Sequence, residues 1–198
     1  TQGATGSWTP PTMAVVGSTV LVTHPGFPGG ATKFGSFDIS TPTAPAWTAG
    51  DLATNALAST PVAVVNFANR AYYATGATLA FSDVLAPLTR TGASQVLTIG
   101  DTADITALSG LPVQTTSSGV VQALLVFKAF QVWQVTGDSA TSNLALNYLS
   151  LTTGCASPRS IAQSPLGLYF ASTNGPQIID QLGVLHPLTY SQRENEPD

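Results

Sequence analysis

Charge is what this sequence has least of. Only 8% of its 198 residues are Asp, Glu, Lys or Arg, against about 25% in ordinary globular proteins, while apolar residues hold at 43%. Six cations in all and a net charge of −4 argue against gripping nucleic acid by its phosphates, which takes clustered Lys and Arg. A weakly acidic wall is compatible with DNA sliding past it, and compatibility is all that follows. Cysteine is nearly absent as well: Cys155 stands alone, so there is no intrachain disulfide and no disulfide-stapled scaffold. Its apolar-polar surroundings predict a buried small hydrophobe. No apolar run approaches the roughly 20 residues that cross a bilayer, so no membrane partner is expected. Residues 1–20 do not show the basic start and apolar middle of a signal peptide. The residue at position 1 is Thr, as expected of a piece of something longer.

Groups that carry chemistry are equally few. His24 and His186 are the two imidazoles, each beside a proline, and no metal-ligand spacing surrounds either. Both read as loop polar residues. There is no Gly-x-Ser-x-Gly elbow, no Gly-rich phosphate loop and no Gly-x-Gly-x-x-Gly. Asp38, Asp51, Asp83, Asp101, Asp104, Asp138 and Asp180 mostly stand next to Gly, Ser or Thr, where an Asp accepts hydrogen bonds from turn amides. Asp101 and Asp104 are close enough to share a cation, but nothing supplies the other ligands of a calcium loop. Catalytic, cofactor-binding and metal-ligating residues are therefore all expected to be none, and the chain is not expected to be an enzyme.

What the chain does have is a succession of short strands and turns. Ala123–Val135 holds two apolar runs, ALLVF and QVWQV, joined at Lys128 and Ala129 and ended by Thr136-Gly137-Asp138. β-branched and aromatic residues at strand length predict a hairpin there. Ala14–Thr23 reads as two strands around Gly17-Ser18, and Lys33–Ser40 as another strand. Val62–Phe67, Ala71–Ala74, Leu79–Phe81 and Leu88–Thr91 read as a meander, with breaks at Ala68-Asn69-Arg70 and Thr75-Gly76. Asp51–Ala58 reads as a short helical turn capped by Asp51. Residues 1–12 read as an N-terminal arm or linker, 13–190 as the folded domain and 191–198 as a polar tail.

Four places share one form, an apolar run, a short turn, an apolar run and then Thr, Gly or Ser: Ala14–Thr23, Val62–Thr75, Ala123–Thr136 and Ile161–Ser172. Their spacing of about 40 to 60 residues overlaps that of a propeller blade. The expected fold is all-β, a β-propeller-like array of short antiparallel blades, partial because four units sit at the bottom of the usual range. An irregular β-sandwich is the alternative. Arg70, Arg90 and Arg159 read as ties between blades or as intersubunit contacts. Trp133 reads as a core anchor, and Trp8 and Trp47 as interface residues.

One order of motifs carries a resemblance. Leu125–Lys128, Gln131–Gln134, Thr136–Asp138, Gly154–Ser160, Gly167–Ser172 and Asn174-Gly175 together resemble a segment of the β-propeller-like tail nozzle (tail tubular) proteins of short-tailed bacteriophages, over about residues 120–190. The resemblance implies a structural virion protein of a viral tail, assembled in the host bacterial cytoplasm, whose copies form a homo-oligomer, a ring of six. It also implies other tail and portal-adaptor proteins as partners, and genomic DNA passing non-specifically during DNA ejection. The alternative function is a secreted or surface β-rich binding module for carbohydrate or protein, with His24–Gly30 as its longest loop.

Overall fold

The computed structural model describes residues 10–41, 43, 46–115, 119–137 and 143–188. Its strands fall into four separate antiparallel sheets of four, each made from four consecutive strands. Sheet 1 is β1 (Thr12–Val16), β2 (Thr19–Thr23), β3 (Phe34–Asp38) and β4 (Trp47–Gly50). Sheet 2 is β5 (Ala63–Phe67), β6 (Arg70–Thr75), β7 (Thr78–Phe81) and β8 (Val96–Thr98). Sheet 3 is β9 (Ile105–Thr115), β10 (Gly119–Lys128), β11 (Val132–Thr136) and β12 (Ala145–Ser150). Sheet 4 is β13 (Ala162–Ser164), β14 (Gly167–Ser172), β15 (Gly175–Asp180) and β16 (Leu185–Pro187). The fold is all-β, and its sheets follow the chain one after another rather than pairing strands distant in sequence.

Local chemistry sets these hairpins. Between β5 and β6 the partners Phe67 and Arg70 flank a two-residue turn, and both of its residues take positive φ, 48° at Ala68 and 59° at Asn69. That is the turn whose twist matches paired strands; Asn tolerates it well, while Ala68 accepts it under the hold of the ladder. The turns at Thr75-Gly76 and Gly17-Ser18 fall where the sequence places them.

The sheets stack face on face through three apolar cores. Val16, Leu21 and Phe34 of sheet 1 meet Val64, Tyr73 and Ala80 of sheet 2. The opposite face of sheet 2, with Phe67, Tyr72, Leu79 and Phe81, meets Leu124, Val126 and Val135 of sheet 3. The far face of sheet 3, with Leu125, Phe127 and Val132, meets Leu168, Phe170 and Ile179 of sheet 4. Fully burying one such side chain contributes roughly 1.5–3 kcal/mol. Sheets 2 and 3 are covered on both sides, and all six residues of β6 are buried, Arg70 and Thr75 included.

Several expectations fail, for identifiable reasons. Leu88–Thr91 is loop, and the fourth strand of sheet 2 is the shorter Val96–Thr98. Asp51–Ala58 is not helical; Asp51 Oδ1 accepts from the amides of Leu52 at 2.7 Å and Leu57 at 3.0 Å, pinning an irregular loop rather than capping a helix. The strand β9 has no counterpart among the apolar runs of the sequence, because Ser109, Gly110 and Pro112 interrupt its pattern. The repeated form at Ala123–Thr136 is accordingly the middle of sheet 3, one strand later than its counterparts. Trp8, Asp138, residues 1–9 of the arm read at 1–12 and the tail at 191–198 lie outside the described residues, while Thr12 already belongs to β1.

Candidate functional site

The first strands of the four sheets, β1, β5, β9 and β13, face one concavity of about 790 Å³. Side chains tie these strands edge to edge. Thr12 Oγ1 accepts from the Val64 amide at 3.2 Å, Asn66 donates to the Val15 carbonyl at 2.7 Å, and Gln163 donates to the Gly110 carbonyl at 2.6 Å. The walls are Met13 from sheet 1, Val62–Val65 from sheet 2, Ile105–Gly110 from sheet 3, and Pro158, Arg159 and Ile161 leading into sheet 4, with Pro25 of the His24–Gly30 loop at the rim. No carboxylate, histidine or cysteine lines it. Among the described residues it therefore presents hydrocarbon, hydroxyls, amides and one guanidinium, with no general acid or base.

Arg159 arrives there through the segment Gly154–Ser160. Its amides bridge sheets 3 and 4: Cys155 donates to the Lys128 carbonyl and Ala156 to the Ala171 carbonyl, each at 2.9 Å. Ser160 Oγ donates to the Ser157 carbonyl at 2.6 Å and accepts from the Ala171 amide at 2.8 Å. A short 3-10 turn, Pro158–Ser160, then carries Arg159 outward. Cys155 is 1% exposed within the core shared by sheets 3 and 4, and desolvation pushes its thiol pKa up. It behaves as a small hydrophobe, not a nucleophile.

The other cations are turned inward. Lys33, Arg70, Arg90 and Lys128 are all buried, Lys128 to 1% exposure. Lys33 pairs with Asp51 at 2.7 Å. Arg70 donates to the Ser82 carbonyl at 2.6 Å and lies over the Phe81 ring. Lys128 donates to the carbonyl and carboxylate of Asp101 at 2.7 and 2.9 Å. Arg159 is thus the only exposed Lys or Arg among the described residues.

Asp101 is engaged by partners other than a metal cation. Asp101 is taken up by Lys128, by the Ala103 amide and by Gln131, and the hydrogen bond from Lys128 leads the causes that hold its carboxyl below the ordinary value. Asp38, Asp83 and Asp180 accept turn amides, as expected. His24 Nδ1 accepts from the Gly26 amide at 2.8 Å. His186 meets Asp180 at 3.0 Å, a pairing that sequence spacing did not suggest because the turn between β15 and β16 creates it. Trp133 is half-buried against the core of sheets 2 and 3, whereas Trp47 is 47% exposed.

Fold and concavity together define an all-β protein of stacked four-stranded meanders. Compared with known proteins, the chain matches no family model and no curated sequence.

Proposed function

We propose that the chain is a structural protein of a short-tailed bacteriophage tail, a nozzle-like ring component through which genomic DNA passes, built as a β-propeller-like arc. The observation that supports this reading is the architecture: four consecutive four-stranded meanders whose first strands face a common concavity, an order that the blades of a propeller would also have. The inward placement of four cations supports it further, since a wall with little exposed positive charge lets a polyanion pass without holding it. The concavity has the volume of a small-ligand cleft, far too small for a duplex, so the passage belongs to the axis of the assembled ring.

The test is negative-stain imaging and light scattering of the chain alone and with purified portal complexes of a short-tailed phage. A ring seated on the portal, of six copies by the resemblance, is the expected result. A chain that ignores portal complexes and binds a glycan or protein at the concavity overturns it in favour of a surface binding module. The apolar wall and Pro25 at the rim favour that second reading.

A further inference from the structure

Each internal junction follows one rule. A sheet uses one face toward the sheet before it and the other toward the sheet after it, so the stack has a direction. Sheets 2 and 3 have both faces covered. Among the described residues, sheets 1 and 4 each have one face that no other sheet covers, and the two are opposite in sense: a rear face on sheet 1 and a forward face on sheet 4.

The leftover face of sheet 1 is apolar like the covered ones, and that of sheet 4 is apolar apart from one His–Asp pair. Cross-strand partners place Val15, Val20, Phe37 and Trp47 in one row of the rear face of sheet 1, and Met13 and Val22 in the next. These alternate with the buried Ala14, Val16 and Leu21. No charged side chain stands in either row. Trp47 is fixed there, its ring 4.7 Å from Phe37, stacked near Phe27 and lying across Gly35, where an added Cβ would fall 1.8 Å from the indole. Met13 is 67% exposed and Val15 49%. The forward face of sheet 4 carries Tyr169 opposite Ile178 and Ala171 opposite Pro176, with Leu188 joined to Pro176 by its amide. His186 stands in the same row, opposite Ile178, and meets Asp180 of the same face at 3.0 Å.

We propose that these two faces are the halves of one interface between copies of this chain: the forward face of sheet 4 in one copy packs on the rear face of sheet 1 in the next, continuing the stack. The occupant is a second copy because the contact repeats, in the same sense, the junction the chain already makes three times. A directed contact of this kind is heterologous and closes into a ring when its rotation allows. Two copies of four sheets supply eight, the top of the roughly four-to-eight-blade range of closed propellers. This inference goes beyond the tail reading and does not depend on it: a closed pair uses both faces, so the six-copy ring of that reading draws on another surface.

Light scattering of the wild-type chain alone, away from any portal complex, is expected to give two copies. Trp47→Asp, with Val15→Asp as a second variant of the same face, blocks the rear of sheet 1, and Ile178→Asp blocks the front of sheet 4. Each is expected to run as a monomer with the wild-type circular dichroism spectrum. An equimolar mixture of Trp47→Asp and Ile178→Asp is expected to recover a two-copy particle held by its one intact contact, and so weaker. A wild-type monomer at high micromolar concentration overturns the proposal. So does an oligomer that Ile178→Asp leaves whole, which makes the contact isologous. So does a six-copy particle that no variant dissociates, which keeps the tail ring on some other surface.

Discussion

At the scale of residues, neighbouring tyrosines on β6 have opposite circumstances. Tyr73 donates its hydroxyl to the Pro87 carbonyl at 2.7 Å. Tyr72, stacked on Phe81 and edge-on to Phe67, has a buried hydroxyl that meets no partner among the described residues. A buried polar group without a partner costs about 1–3 kcal/mol, whereas a satisfied hydrogen bond contributes about 1 kcal/mol. Tyr72→Phe is therefore expected to stabilise the chain by up to about 1 kcal/mol, and Tyr73→Phe to destabilise it by about 1–2 kcal/mol. Urea midpoints lying on opposite sides of wild type check this; equal losses would mean that Tyr72 finds a partner in solution.

At the scale of elements, the junction between sheets 3 and 4 hangs on Gly154. A Cβ there would lie 2.2 Å from the Lys128 carbonyl oxygen and 2.5 Å from the Gln131 amide nitrogen, both backbone atoms of the β10–β11 turn. Nothing so placed moves aside cheaply. Gly154→Ala is expected to cost about 3 kcal/mol or more, as strained backbone substitutions do, and to loosen sheet 4 first. Hydrogen exchange checks the order: amides of β14 and β15 lose protection in the variant while β6 and β7 keep theirs. Uniform loss across all four sheets would show that the junction is not local.

At the scale of the whole molecule, stability has two pH limits. Desolvation pushes the Tyr72 pKa up to about 12 and that of Tyr73 higher still. A folded pKa above the ordinary value near 10 means that the contribution is intact below pH 10 and is lost as pH rises through the folded value. Asp101, Asp38 and Asp180 sit on the other side. The hydrogen bond from Lys128 comes first for Asp101, and the Ser40 amide for Asp38. At Asp180 desolvation opposes the shift, and the Val184 amide and His186 outweigh it. Their contributions hold above the ordinary 3.8 and fall away as pH drops through the lower folded values. Thermal melts across pH are expected to fall at both ends, the alkaline fall coinciding with tyrosinate absorbance. Tyrosinate appearing well before unfolding would place both hydroxyls in contact with water.

The all-β class, the hairpins at Gly17-Ser18, Ala68-Asn69 and Thr75-Gly76, and the buried Cys155 were legible in the sequence, because each rests on strand-length apolar runs and turn residues adjacent in the chain. The fourfold repeat was legible in outline and displaced in sheet 3, where Gly110 and Pro112 hide β9. Tertiary structure decided what depends on neighbours distant in sequence: that Leu88–Thr91 is loop, that Asp101 answers Lys128 instead of Asp104, and that Asp180 meets His186. It also decided that four of six cations face inward. The candidate site belongs wholly to this second group, since its wall is drawn from four strands spread over 150 residues. Local sequence encodes period and turn; only sheet stacking determines which strand edges converge, and so where a concavity and two uncovered apolar faces come to lie.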